Sequence, residues 1–171
     1  MRIISERSQR PTRGRWQVYA ATTSAVTATA IIGGRAVDAD SAWYRSLAKP
    51  PWQPPGWAFG AVWTPLYASI AWAGGRALLK THGQERRALT ASLGVNLTLN
   101  TAWNWLFFHG RSPTAGAAGT LVLDLSNTDL IRRTAHADRT AATALIPYAA
   151  WSAFATALNI DIARRDRTNR R

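Results

Sequence analysis

Three tryptophans, Trp63, Trp103 and Trp151, stand in three separate apolar stretches, each beside small or polar residues. Phe59, Trp63 and Tyr67 recur at i, i+4 and i+8. Asn96, Asn100, Trp103 and Phe107 recur at i, i+4, i+7 and i+11, and Tyr148, Trp151, Ala155 and Asn159 at i, i+3, i+7 and i+11. On helices each set shares one face. Three such faces turned inward would sandwich a planar aromatic ligand, with ring stacking adding about 0.5–1.5 kcal/mol per pair beyond area burial. The same rings would serve equally as an interfacial belt or as ordinary core. Asn100 reads either as an interhelical hydrogen-bonding amide or as a contact to a ligand carbonyl, and Asn159 as a packing amide. Ala155 either leaves space for a ligand one turn after Trp151 or lets two helices approach. Asp124, ionisable inside an apolar stretch, is a functional candidate, with a structural pair as the alternative.

Other chemistry is excluded or unsupported. The chain has no cysteine, so thiolate metal sites and cysteine nucleophiles are ruled out. His82, His109 and His136 fall in loops without metal-ligand spacing, and none offers an axial ligand from within a bundle. There is no Gly-rich phosphate loop and no Ser-His-Asp arrangement. No metal and no required cofactor are expected.

The elements that must carry these residues follow from hydropathy and charge. Of 171 residues, 21 are Lys or Arg and 9 Asp or Glu, a net charge of +12. The basic residues cluster at both ends and in two internal groups, separated by long stretches almost free of charge. Basic blocks punctuating apolar blocks of about 20 residues mark a multi-span membrane protein rather than a nucleic-acid binder. The pattern predicts an all-α integral membrane bundle of five transmembrane helices, over about 16–32, 56–79, 87–108, 114–131 and 140–162. Residues 1–15 are read as a basic, flexible N-terminus and 163–171 as a basic C-terminal tail. The distribution of charge favours the N-terminus inside by a small excess, which the basic C-terminal tail opposes. Short connections make neighbouring helices antiparallel.

One long connection breaks this regularity. The stretch from Trp43 to Tyr67 holds four of the nine tryptophans and five of the eight prolines. The prolines forbid a continuous helix up to Pro55. Residues 35–55 are expected to form a stiff lid carrying Trp43, Tyr44, Arg45, Lys49 and Trp52, with Trp57 just beyond it as a further lid residue and Trp52 and Trp57 at the membrane boundary. Arg45 and Lys49 would meet either anionic ligand groups or lipid headgroups. Pro65 should bend the second span, which membrane helices tolerate.

The segments WYRSLAKPPWQPPGWAFGAVWTPLY (43–67), NTAWNWLFF (100–108) and PYAAWSAFATALN (147–159), with Asp124 between the last two, resemble the tryptophan-rich sensory protein / translocator protein family, formerly the peripheral benzodiazepine receptors, in a bacterial-type form. The similarity covers about Trp16 to Ile162. It implies a five-helix membrane bundle in the cell membrane, usually a homodimer, that binds protoporphyrin IX or a related tetrapyrrole. It makes Trp63 and Trp151 the cavity tryptophans tied to porphyrin photochemistry. Phe59, Tyr67, Asn100, Trp103, Phe107, Tyr148 and Ala155 become the remaining pocket residues. A light-dependent porphyrin-degrading enzyme, or a transporter or ligand-responsive signalling partner, are the alternatives. Two departures stand out. Ile160, followed by Asp161, replaces the tyrosine of the animal cholesterol-recognition stretch, so cholesterol recognition is not expected. Pro65 stands where the family usually has another residue.

Overall fold

Thr, Ala and Val dominate the first apolar stretch, and the chain is helical there despite its β-branched content. The computed structural model describes residues 12–169, with side chains for 14–168. Helix α1 runs over Thr12–Gly34, α2 over Ala42–Ser46, α3 over Gly56–Lys80, α4 over Gly83–Asn104, α5 over Pro113–Ala137 and α6 over Arg139–Asn169. A π turn, Trp105–His109, extends α4. The protein is an all-α bundle of five long helices and one short one among the described residues.

The long helices close into a ring. Helix α1 packs on α3, α3 on α6, α6 on α5, α5 on α4, and α4 back on α1. The shortest, α4, has 22 residues, about 33 Å at 1.5 Å per residue. Among the described residues one helix, over Arg139–Thr168, is both long and apolar enough to cross a membrane. The others are diluted by polar residues. Helix α4 carries Ser92, Asn96, Asn100 and Asn104 at every fourth position, all buried. Helix α5 carries Asp124, Asn127 and Asp129.

Local chemistry explains the helix ends. Ser112 accepts a hydrogen bond from the Ala115 amide at 3.2 Å, with Pro113 at the first helical position of α5. Asp138 does two jobs. Its Oδ1 accepts from the Ala141 amide at the start of α6 (3.0 Å), and its Oδ2 pairs with Arg76 Nε (2.7 Å) and Lys80 Nζ (2.6 Å) at the end of α3. Lys80, the Ala141 amide and Arg76 hold the Asp138 carboxyl well below the usual carboxylate range.

Several expectations shift. The helices outrun the apolar stretches: α5 continues to Ala137, and α6 takes in most of the basic C-terminal stretch. Ion pairs one turn apart support these ends, Arg133 with Asp129 (2.7 Å) and Arg165 with Asp161 (2.8 Å). Helix α1 begins at Thr12, and the rest of the basic N-terminal stretch lies outside the described residues. The connection expected to be non-helical contains α2, because its first proline, Pro50, comes only after Ser46. Helix α3 stays helical through Pro65.

Candidate functional site

Seen from the C-terminal end of α1, the ring opens into a cavity of about 670 Å³. Helix α3 supplies Phe59, Trp63 and Tyr67. The last turn of α4 and the π turn supply Trp103, Asn104, Phe107 and Phe108. Helix α6 adds Leu158, Asn159 and Ile162, and the connection around α2 closes over them with Asp40, Tyr44 and Gln53.

The π turn sets the aromatic wall. Its wider winding, closed by the Gly110 amide on the Trp105 carbonyl (2.8 Å), turns the adjacent Phe107 and Phe108 towards the same space. Phe107 is seated by Gly116 of α5, where a Cβ would come within 2.6 Å of its ring and 2.9 Å of Asn159 Oδ1. The Trp103 indole N–H points at the same Asn159 oxygen at 3.5 Å, and Asn159 Nδ2 donates to the Ala155 carbonyl at 2.7 Å.

The roof rests on this wall. Trp43 meets Phe107 edge-on at 5.6 Å between ring centres, and Tyr44 lies 5.4 Å from Phe108. Gln53 Nε2 donates to the Tyr44 hydroxyl at 3.2 Å. Lys49 folds back onto α2: Nζ donates to the Tyr44 carbonyl, reaches the Arg45 carbonyl at 3.4 Å and sits 4.4 Å from the centre of the Tyr44 ring. Burial pushes the Tyr44 hydroxyl pKa up, against the pull of Gln53, and pushes the Lys49 ammonium pKa down. Gln53 Oε1 and Trp43 Nε1 are buried and have no protein partner.

Beneath the cavity runs a buried polar ladder. Tyr67 Oη donates to Asn100 Oδ1 (3.0 Å), Asn100 Nδ2 to the Tyr148 hydroxyl (3.3 Å), and Tyr148 Oη to Asn96 Oδ1 (3.0 Å). Asn96 Nδ2 then donates to Asn127 Oδ1 (2.7 Å). Four helices are tied by these bonds, and at the far end Asn127 Nδ2 is buried without a protein partner. Asp124 lies apart from the ladder, with Oδ2 accepting from Thr156 Oγ1 at 2.7 Å.

The expected residues therefore divide. Phe59, Trp63, Tyr67, Trp103, Phe107 and Tyr44 meet at the cavity. Asn100 and Tyr148, each 1 % exposed, lie behind Tyr67 and Trp63 in the ladder. Trp63 is stacked on Tyr67 at 5.1 Å and meets Tyr148 edge-on at 6.1 Å. Trp151 lies outside the lining, edge-on to Phe59 at 5.8 Å and stacked on Phe154 at 5.0 Å, and Ala155 is buried without reaching the space. Trp52 packs on Phe154, Trp57 is 76 % exposed, and neither Arg45 nor Lys49 lines the cavity.

Asn104, Phe108, Gln53 and Asp40 are lining residues outside the expected set. Asn104 was signalled by its spacing, one turn beyond Asn100. Phe108 was not, because a 3.6-residue period points it away from Phe107. Chemically the site is a flat-walled apolar slot with amide and phenol groups at its edges and Asp40 as its one charged residue. It can hold a flat hydrophobic molecule. Its lining contains no histidine, cysteine or methionine to ligate a haem iron.

A membrane-associated helical bundle with an aromatic slot is the class these features define. Residues 21–165 match the model of the TspO/MBR family, and the chain belongs to that family. It is 34 % identical over 125 residues to the tryptophan-rich protein TspO of Chlorobaculum tepidum, covering 70 % of this chain and 77 % of that one. To the translocator protein of Ovis aries it is 38 % identical over 125 residues, covering 68 % and 70 %. To the tryptophan-rich sensory protein of Cereibacter sphaeroides it is 32 % identical over 123 residues, covering 71 % and 75 %. Bacterial and animal relatives match alike, so these similarities do not set it on the bacterial side.

Proposed function

We propose that this chain spans the cell membrane five times and binds a metal-free tetrapyrrole, protoporphyrin IX or a close relative, in the cavity under α2. One observation carries the reading: the slot of about 670 Å³ between Trp63 and Tyr67 on one side and Trp103, Phe107 and Phe108 on the other. That volume lies within the range of about 300–1,000 Å³ typical of small-molecule sites. The macrocycle would stack in the slot, between the rings of its two walls. Its carboxylates would stay at the mouth, since the lining offers them no cation. The five spans are supported by helix length and by the inward pairing of polar residues on α4 and α5. Ile160, in place of the animal tyrosine, supports a bacterial-type member without cholesterol recognition.

The same reading puts the homodimer contact on the Gly94 face of α4. Gly94 has nothing within 4 Å of a Cβ position, whereas Gly116 and Gly119 are already packed on Phe107, Trp103 and Leu106. Titration of the purified protein in detergent with protoporphyrin IX should quench tryptophan fluorescence to saturation. Quenching that grows without saturating, as for free tryptophan in the same detergent, would remove the binding reading.

A second reading rests on the stacked Trp63–Tyr67 pair at the cavity wall. Trp63 would give one electron to the photo-excited porphyrin and begin its breakdown. Trp151 would act only from behind Phe59.

A further inference from the structure

At the opposite end of the bundle from the cavity, the start of α1, the end of α3 and the start of α4 enclose a second space, a groove of about 860 Å³. Its rim is cationic: Arg15, Arg76, Lys80 and Arg86. Arg76 and Lys80 share Asp138, while Arg15 and Arg86 have no ion pair among the described residues. Its wall carries an apolar strip, Val18 and Ala21 on α1 and Leu78 and Leu79 on α3, beside Gln17, Thr22 and Thr90. The floor depends on Gly75. A Cβ there would come within 2.5 Å of the Tyr19 ring, so the bare backbone lets Tyr19 lie flat on α3.

We propose that this groove is a binding site for an anionic phospholipid, its phosphate held by Arg15 and Arg86 and the start of an acyl chain laid along Val18 and Ala21. The proposal rests on the membrane-spanning reading. Cations surplus to the one available carboxylate favour an anionic occupant, and the apolar side chains continuous with them favour one that carries a chain. Free phosphate would match the first feature and leave the second unmet. The chain's own N-terminal stretch is a poor match for the rim, because it brings Arg2, Arg7 and Arg10 against a single Glu6. Basic pockets between spans at the inner face are suited to anionic head groups, each Lys or Arg near such a surface contributing attraction. The groove lies at the end that the charge distribution favours as inside.

The test uses the full chain in detergent, offered equal phosphatidylglycerol and phosphatidylcholine of matched acyl chains, with retained lipid read by native mass spectrometry. Wild type should retain phosphatidylglycerol in preference. R15Q/R86Q should weaken that retention about 30-fold, the equivalent of two lost cation contacts. R15Q or R86Q alone should each cost about fivefold. R132Q/R133Q, at the same end but outside the groove, should leave it unchanged, and so should excess inorganic phosphate. Equal retention of the two lipids by wild type overturns the proposal, as does a folded R15Q/R86Q that binds like wild type. Full displacement by inorganic phosphate overturns the lipid and leaves a phosphate site. Retention of neither lipid, with the protein folded without detergent, would instead overturn the membrane reading beneath it.

Discussion

The Tyr67 hydroxyl donates to Oδ1 of Asn100 at 3.0 Å, and through that bond the cavity wall is joined to the buried ladder of α4, α5 and α6. The ring of Tyr67 faces the cavity, while its hydroxyl belongs to the scaffold. Tyr67→Phe should therefore separate the two roles. It leaves the Asn100 oxygen short of a donor, at a cost of about 1–3 kcal/mol. Porphyrin affinity should hold within about threefold, because the stacking face on Trp63 remains. Thermal unfolding in detergent, beside a porphyrin titration, distinguishes this from a ligand-bonding hydroxyl, whose loss would weaken binding without lowering stability.

Gly116 makes room for the Phe107 ring and for Asn159. Gly116→Val should force both side chains towards the cavity and destabilise the fold by about 1–3 kcal/mol through overpacking. Porphyrin binding should weaken more than tenfold. Gly94→Val, at an open position, should leave monomer stability and binding near wild type, and a loss of dimer in size-exclusion analysis would support that face as the contact.

Asp138 joins the start of α6 to the end of α3. Its carboxyl pKa is depressed in the folded protein, so its contribution to stability is fully present above the ordinary value of 3.8 and fades as pH falls below it towards the depressed folded value. Asp138→Asn should lower the thermal midpoint at pH 7. It should also flatten the loss of stability below pH 4, whereas wild type continues to weaken. A variant whose acid limb matches wild type would mean that other carboxylates govern it.

If the slot performs photochemistry, the two expected tryptophans should not be equivalent. Trp63 lines the cavity and touches Tyr67 and Tyr148, whereas Trp151 stands behind Phe59. Trp63→Phe should slow light-driven bleaching of bound protoporphyrin IX about tenfold or more, and Trp151→Phe much less. Bleaching rates under constant illumination, corrected for bound porphyrin, decide it, and equal rates in both variants would remove the electron-donor role.

Much of this arrangement was legible in the residues. The recurrence of Phe59, Trp63 and Tyr67 at helical spacing brought them to one wall. What could not be read was depth along a face. Asn100 and Tyr148 share a helical face with cavity residues, yet the hydroxyl of Tyr67 closes over them, a three-helix contact that no single period encodes. The π turn escaped for a related reason: it changes the period at the point where Phe107 and Phe108 turn together. Lys49 looked like a free cation over the site. Its reach back to the Tyr44 and Arg45 carbonyls depends on the short α2, which the downstream prolines concealed. The polar residues of α4 are accounted for only in three dimensions, where Asn96 and Asn100 bond to Tyr67, Tyr148 and Asn127 on three other helices.

The chain's lack of cysteine allows the most direct test of a tetrapyrrole in this cavity. A single thiol is introduced by Gly60→Cys, in the lining on α3, or by Trp57→Cys on the exposed side of the same helix. Maleimide labelling of each is then timed with and without protoporphyrin IX. The account predicts that saturating porphyrin slows labelling at position 60 at least about tenfold and leaves position 57 unchanged. Equal labelling at position 60 with and without porphyrin, while the porphyrin is demonstrably bound, would contradict it.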